Sequence, residues 1–182
     1  MAGVVWTRHC PAAWPAWARN WACTKGSLTQ RLVGLNKGFR VEPVVQGKVL
    51  VKSSSMNSHG QMMRQRLVRL HVNNAPVVLA QTLVKVDGCV NDWHFWRGLG
   101  NRSLGTVLFS DPQVQRGDLF FARLPFDQAW VQQLLSPSLL AELKNTGQGR
   151  TWYARCARFS RKPHRTPLWV MEVFLPQLEN YI

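Results

Sequence analysis

The sequence of 182 residues predicts an α+β fold with antiparallel strand pairing. Two hairpin patterns carry that expectation, over 64–86 and 151–176, together with helical spacing at 27–35 and 126–144. The second hairpin returns through Leu168 to Pro176, nine residues with a single charge, Glu172. A run this short and apolar reads as a strand buried on both faces. A buried carboxylate is costly unless something pairs with it. Glu172 therefore has two readings, a structural carboxylate held by a core arginine or a binding or catalytic group.

The length suits one domain over 1–182, large enough to bury a core without disulfides or a structural metal. Charge is lopsided: 23 Lys plus Arg against 9 Asp plus Glu leave +14. Such a surface attracts anions, and nucleic acid, anionic membrane and small acidic metabolites all fit it. Cys10, Cys23, Cys89 and Cys156 form no C-x-x-C pair, so reduced thiols are expected, with neither a zinc site nor a redox motif. No apolar run reaches the roughly 18 residues of a membrane span. The N-terminus lacks the pattern of a signal peptide, so a cytoplasmic protein is expected.

Along the chain, residues 1–25 form a Trp-rich helical segment. Trp14, Trp17 and Trp21 fall at i, i+3 and i+7, a stripe that reads as packing rather than as a ligand box. Ser27 with Gln30 three residues on makes a capping box. Leu28, Leu32 and Leu35 continue one helical face, and Asn36 with Gly38 ends it. Phe39 to Leu50 reads as a strand and turn around Gln46-Gly47, and Ser53 to Gly60 as a loop. From Arg64 to Val72 the residues alternate, and Asn73-Asn74 turns the chain into the apolar return of Val77 to Val86. Arg66 lies on the more apolar face. Arg69 lies on the other and reads as a solvated charge. For Arg66 itself, the plain alternative is an edge arginine reaching to water.

Trp93 to Gly105 reads as a short helix or loop, with Gly105 permitting a close backbone approach. Val107 to Phe109 then begins an extended segment towards Arg123. Residues 126–150 read as a helical insertion in two pieces, the second opened by Ser136-Pro137. Thr151 to Phe159 alternates, with Tyr153, Arg155, Ala157 and Phe159 on one face, and pairs with the strand that carries Glu172.

No P-loop, G-x-G-x-x-G, G-x-S-x-G or H-E-x-x-H motif occurs, and the five histidines show no ligand spacing. What remains is Arg66, Arg155 and Glu172 on sheet strands. Two arginines suit a ligand with two carboxylates, because guanidinium and carboxylate pair in a planar, bidentate fork.

Five segments occur in a telling order: Gly26-Ser27-Leu28-Thr29, the Arg66-Leu67-Val68 strand with its Pro76 turn, Arg102-Ser103-Leu104-Gly105 followed by Leu108-Phe109, Trp152 to Phe159, and Glu172-Val173-Phe174-Leu175-Pro176. In this order they resemble the bacterial chorismate pyruvate-lyase family. The resemblance implies a single antiparallel sheet with helices packed outside and flap segments enclosing an internal ligand site. It also implies a monomer that removes pyruvate from chorismate to leave 4-hydroxybenzoate for ubiquinone biosynthesis, with no cofactor and no metal. Carried over by motif, Arg66 binds the ring carboxylate, the backbone of Leu104 contacts the same end, and Glu172 reaches the ring hydroxyl. Leu28 matches a flap position, and Arg155 is the candidate for the enolpyruvyl carboxylate. Cys156 and Ala157 depart from the Arg and Ser common in that strand, and 126–150 is longer than in compact members.

Two other classes remain as alternatives. The same fold could sense a small acid without catalysis, as in effector domains of transcription regulators. A basic nucleic-acid binder would use exposed tryptophans as stacking platforms, but no Lys/Arg block interleaves with them, and no nucleic-acid partner is expected.

Overall fold

The computed structural model describes residues 4–51, 60–145 and 151–182. The chain begins with α1 (Ala16–Ala22), α2 (Leu28–Val33), β1 (Arg40–Leu50), β2 (Met62–Val72) and β3 (Ala75–Lys85). It continues through α3 (Gly88–Asn91), a 3₁₀ turn (His94–Gly98), α4 (Leu104–Ser110) and β4 (Val114–Pro125). Then come α5 (Ala129–Gln132), α6 (Pro137–Asn145), β5 (Thr151–Arg161), β6 (Leu168–Phe174) and a closing 3₁₀ turn (Pro176–Tyr181). The strands form one antiparallel sheet in the order β1-β2-β3-β6-β5-β4.

Local chemistry explains the connections. Asn73 and Asn74 both adopt positive φ, 50° and 62°, the conformation a tight hairpin turn demands and asparagine tolerates. Ser27 Oγ accepts from the Gln30 backbone amide at α2, and Asn36 and Gly38 leave the helix at positive φ.

Period-2 alternation gives the sheet two buried faces. On one, Met63, Leu67, Leu79, Trp152, Ala154, Met171 and Val173 pack against Trp130, Val131, Leu139 and Leu143 of the α5–α6 region. The apolar side chains of that helical pair, read from the sequence as an insertion, are part of the core. On the other face, α1 and α2 bury Trp14, Trp17, Trp21, Leu28 and Leu32 against Val68, Leu70, Val78 and Phe174. Beside them Trp93, Trp96 and Leu108 pack on Ala157, Phe159 and Leu168. The tryptophan stripe is thus packing, and the indole of the fully buried Trp21 donates to Leu178 O at 3.1 Å. None of the nine tryptophans is exposed, so the stacking platforms of the nucleic-acid reading are covered.

Several expectations change. β1 runs straight through Gln46-Gly47 with only a register shift at Pro43/Val45, because its whole length pairs with β2. Val107 to Phe109 is helical, inside α4, rather than extended; Leu108 is buried there, so packing overrides the strand preference of the triplet. Arg69 is no solvated charge: it donates to Glu42 Oε1 at 2.8 Å and to Leu134 O at 2.7 Å. Cys10 and Cys23 form a disulfide rather than staying reduced, while Cys89 and Cys156 are buried thiols. The loop expected at 53–60 lies, except for Gly60, outside the described residues. No helix among the described residues is long and apolar enough to cross a membrane.

Candidate functional site

Register places the site. One cross-strand row on the α1–α2 face runs Arg66, Thr82, Val170, Ala157, Leu119, and the next runs Val68, Ala80, Glu172, Arg155, Phe121. Arg66 and Glu172 are therefore two strands and one row apart, about 12 Å between Cα atoms by sheet spacing. The intervening positions carry small or apolar side chains, so a pocket opens above the sheet. Its other walls are Ser27, Leu28 and Thr29 of the α2 end and Ser103, Leu104, Gly105, Leu108 and Phe109 of the α4 end. The space measures about 690 Å³ with solvent at its mouth included, a size that suits a small molecule.

The two covering segments meet each other. Thr29 Oγ1 and Ser103 Oγ are 2.7 Å apart, and a Cβ added at Gly105 would collide with Thr29 Oγ1 and lie 3.1 Å from Thr29 Cβ. Only glycine lets α4 approach α2 this closely, the close approach expected of Gly105.

Arg66 is 2% exposed, so the reading of an arginine reaching to water is set aside. Its Nη2 donates to Arg102 O at 3.3 Å, while Nη1 is buried without a hydrogen-bond acceptor among the described residues. Burial lowers the pKa of its guanidinium. An unpaired donor on a buried cation is unfavourable by several kcal/mol in the absence of an acceptor, on the order of 2–3 for one charged hydrogen bond. Nη1 is thus a buried cationic donor left open to an acceptor at the pocket.

Glu172 faces Arg155 across the β5–β6 ladder, with Arg155 Nε donating to Oε2 at 2.5 Å. Arg155 is 4% exposed, and its Nη1 donates to Ala22 O at 3.2 Å and Thr24 O at 3.0 Å. Both readings of Glu172 therefore meet in one place: it is paired with a core arginine, and it lines the pocket. Burial, and then the charge of Glu172, pushes the neighbouring Cys156 thiol up to about 12. Cys156 stays protonated near neutral pH and is no nucleophile.

Arg66, Arg155, Glu172, Leu28 and Leu104, which sequence reasoning had singled out, all line this single pocket. Arg116 of β4 lines it too and was missed. Its Nη1 donates to Gly26 O at 3.4 Å and its Nη2 to Lys25 O, and its Cζ lies 5.6 Å from the Phe109 ring centroid. No cluster of three or more His, Cys, Asp or Glu side chains placed to hold a metal occurs among the described residues.

The family model described as chorismate lyase matches residues 2–181. A protein of Cupriavidus metallidurans named probable chorismate pyruvate-lyase is 37% identical over 95% of this chain and 80% of its own length. One of Nitrosomonas eutropha with the same name is 35% identical over 93% of each chain. Among solved structures, the effector domain of PhnF from Mycobacterium smegmatis superposes with a TM-score of 0.50 at 12% identity, covering 84% of this chain and 90% of that one. A gene product of Staphylococcus aureus gives 0.52 at 12% identity, over 85% and 91%. These two likenesses establish the sheet-and-helix architecture alone. The match along nearly the whole sequence goes further, and the chain belongs to the chorismate lyase family.

Proposed function

We propose that this protein eliminates pyruvate from chorismate to form 4-hydroxybenzoate, the ring precursor of ubiquinone. The observation that carries the reading is the buried, unpaired Nη1 of Arg66 in a pocket that also presents the apolar side chains of Leu28, Val68, Leu104, Leu108 and Val170. A carboxylate on a small ring supplies the missing acceptor, and the ring fills the apolar space. Leu104 lies two residues beyond the Arg102 carbonyl that Arg66 holds, so its backbone belongs to the same, carboxylate end. Leu28 and Leu108 give the ring apolar contact from the covering side.

Glu172 stands at the far end of the ligand, where chorismate carries its hydroxyl. Arg155 fixes this carboxylate through Nε and is itself fixed by the two carbonyls at Ala22 and Thr24. The role of Arg155 in this reading is to hold Glu172 in position to accept a hydrogen bond from the hydroxyl. In the reaction the bond from the ring carbon to the enolpyruvyl oxygen breaks. The hydrogen on the hydroxyl-bearing carbon is lost to the departing enolpyruvyl group, which becomes pyruvate, and the ring becomes aromatic. Aromatisation makes the step strongly downhill, so orientation and charge placement are the main demands on the protein.

The test is to supply purified protein with chorismate and follow both products. Pyruvate and 4-hydroxybenzoate in equal amounts support the reading. Folded protein that releases neither overturns it.

A further inference from the structure

Among the described residues, four charged side chains line the pocket, Arg66, Arg116, Arg155 and Glu172; three are cationic and one anionic, leaving a net charge of +2. Arg155 and Glu172 neutralise each other through their ion pair. Two cations remain, Arg66 on β2 and Arg116 on β4. They stand on opposite flanks of the pocket, four strand spacings or about 19 Å apart along the sheet at the backbone, with side chains reaching the same space. The backbone of β4 creates this arrangement. Its register shifts between Arg116 and Leu119: Arg116 faces Phe159, Leu119 faces Ala157, and Gly117 and Asp118 together oppose Arg158. Simple alternation would put Arg116 and Leu119 on opposite faces; the extra residue turns both towards the pocket.

The present contacts of Arg116 are exchangeable. It donates to two loop carbonyls, those of Lys25 and Gly26, just ahead of α2, and lies against Phe109 of α4. Backbone carbonyls at the protein surface can turn to water at little loss, and a carboxylate is the stronger acceptor for a guanidinium. Burial lowers the pKa of Arg116, the charge of Arg155 lowers it further, and Glu172 opposes both. A second anion beside it relieves the repulsion between the two arginines.

We infer that Arg116 binds the second, side-chain carboxylate of a dicarboxylate substrate and is the residue by which the pocket distinguishes that substrate from its monocarboxylate product. The assignment rests on the proposed chorismate reaction. It transfers to Arg116 the role that sequence resemblance suggested for Arg155, whose Nε and Nη1 are engaged by Glu172 and two carbonyls. It also gives product release a cause: once pyruvate departs, Arg116 has no ligand partner and returns to the carbonyls ahead of α2.

Arg116→Gln and Arg116→Lys test it, with turnover of chorismate and binding of 4-hydroxybenzoate measured on each. Losing one charge-assisted carboxylate contact is expected to raise KM for chorismate by about 10- to 100-fold. Affinity for 4-hydroxybenzoate should change by less than about twofold, since Arg66 holds its only carboxylate, and Arg116→Lys should recover part of the loss. Equal weakening of both ligands, with thermal unfolding unchanged, makes Arg116 a latch for the covering segments and overturns the assignment. So does an unaltered KM. Wild-type protein that binds 4-hydroxybenzoate but leaves chorismate intact overturns the reaction itself, and this assignment with it.

Discussion

Arg155 and Glu172 are joined twice, once as opposite residues in the β5–β6 register and again through a 2.5 Å contact between Nε and Oε2. The pair is nearly buried, with side chains 5% and 17% exposed. Removing one member leaves the other charge without its partner, which for buried pairs costs about 3–5 kcal/mol. Arg155→Gln is expected to lose about 3 kcal/mol in urea unfolding, near the low end because Glu172 keeps some contact with water. Glu172→Gln is expected to lose activity with a smaller stability change, because the amide oxygen still accepts from Arg155. A double-mutant cycle measures the coupling, and additive losses would show that the pair is not energetically joined.

Gly105 and Thr29 set how tightly the pocket is covered. Gly105→Ala drives a methyl group into Thr29, and overpacking of this kind costs about 1–3 kcal/mol. The α4 end should shift away from α2, lowering turnover more than it lowers the unfolding temperature. Adding Thr29→Ala removes the colliding hydroxyl and should restore part of the activity; a double variant no better than Gly105→Ala would contradict this packing account.

The Cys10–Cys23 disulfide spans a separation of 13 residues, for which loop closure predicts about 3 kcal/mol of stabilisation. The carbonyls that hold Arg155 belong to Ala22 and Thr24, on either side of Cys23. Replacing both cysteines with serine should therefore lower the unfolding temperature and also reduce activity. Thermal melts with and without reductant, beside a turnover assay, read the two effects separately.

At the β1–β2 edge, Glu42 accepts from His71 Nε2 at 2.7 Å and from Arg69 Nη1 at 2.8 Å. Burial acts to raise its pKa, but the His71 hydrogen bond and the charges of Arg69, His71 and Arg40 outweigh it, so the net value falls below the ordinary 4.5. A carboxylate lowered in this way contributes stability above its unfolded value, and that contribution disappears as pH falls through the folded one. Glu42→Gln should be less stable than wild type at pH 7, by roughly 1 kcal/mol at most given the exposure of Glu42. Urea unfolding at a series of pH values should show the gap closing below about pH 4.5. A gap that widened in acid would reverse the assignment.

Much of this architecture is legible in residue order, and what escapes has physical causes. Alternation and the Asn73-Asn74 turn reveal both hairpins, and the hairpins bring Arg66, Arg155 and Glu172 to one face. Arg116 escapes because a register shift, not a residue pattern, aims it; the Gly117-Asp118 pair inside an otherwise extended run is the faint signal of a bulge. Val107 to Phe109 misleads because strand propensity is weak beside the burial of Leu108 under the covering helix. Arg69 misleads because alternation tells which face a residue takes, not whether helices cover that face. The disulfide joins two thiols whose proximity depends on how α1 packs, and their spacing alone does not disclose it.

In the proposed reaction the unpaired Nη1 of Arg66 receives the ring carboxylate. Turnover of chorismate by wild type and by Arg66→Gln, both shown to be folded, tests it most directly. A loss of at least about 100-fold in kcat/KM is predicted from removal of a buried charge-assisted contact. Arg66→Gln acting at the wild-type rate would contradict it.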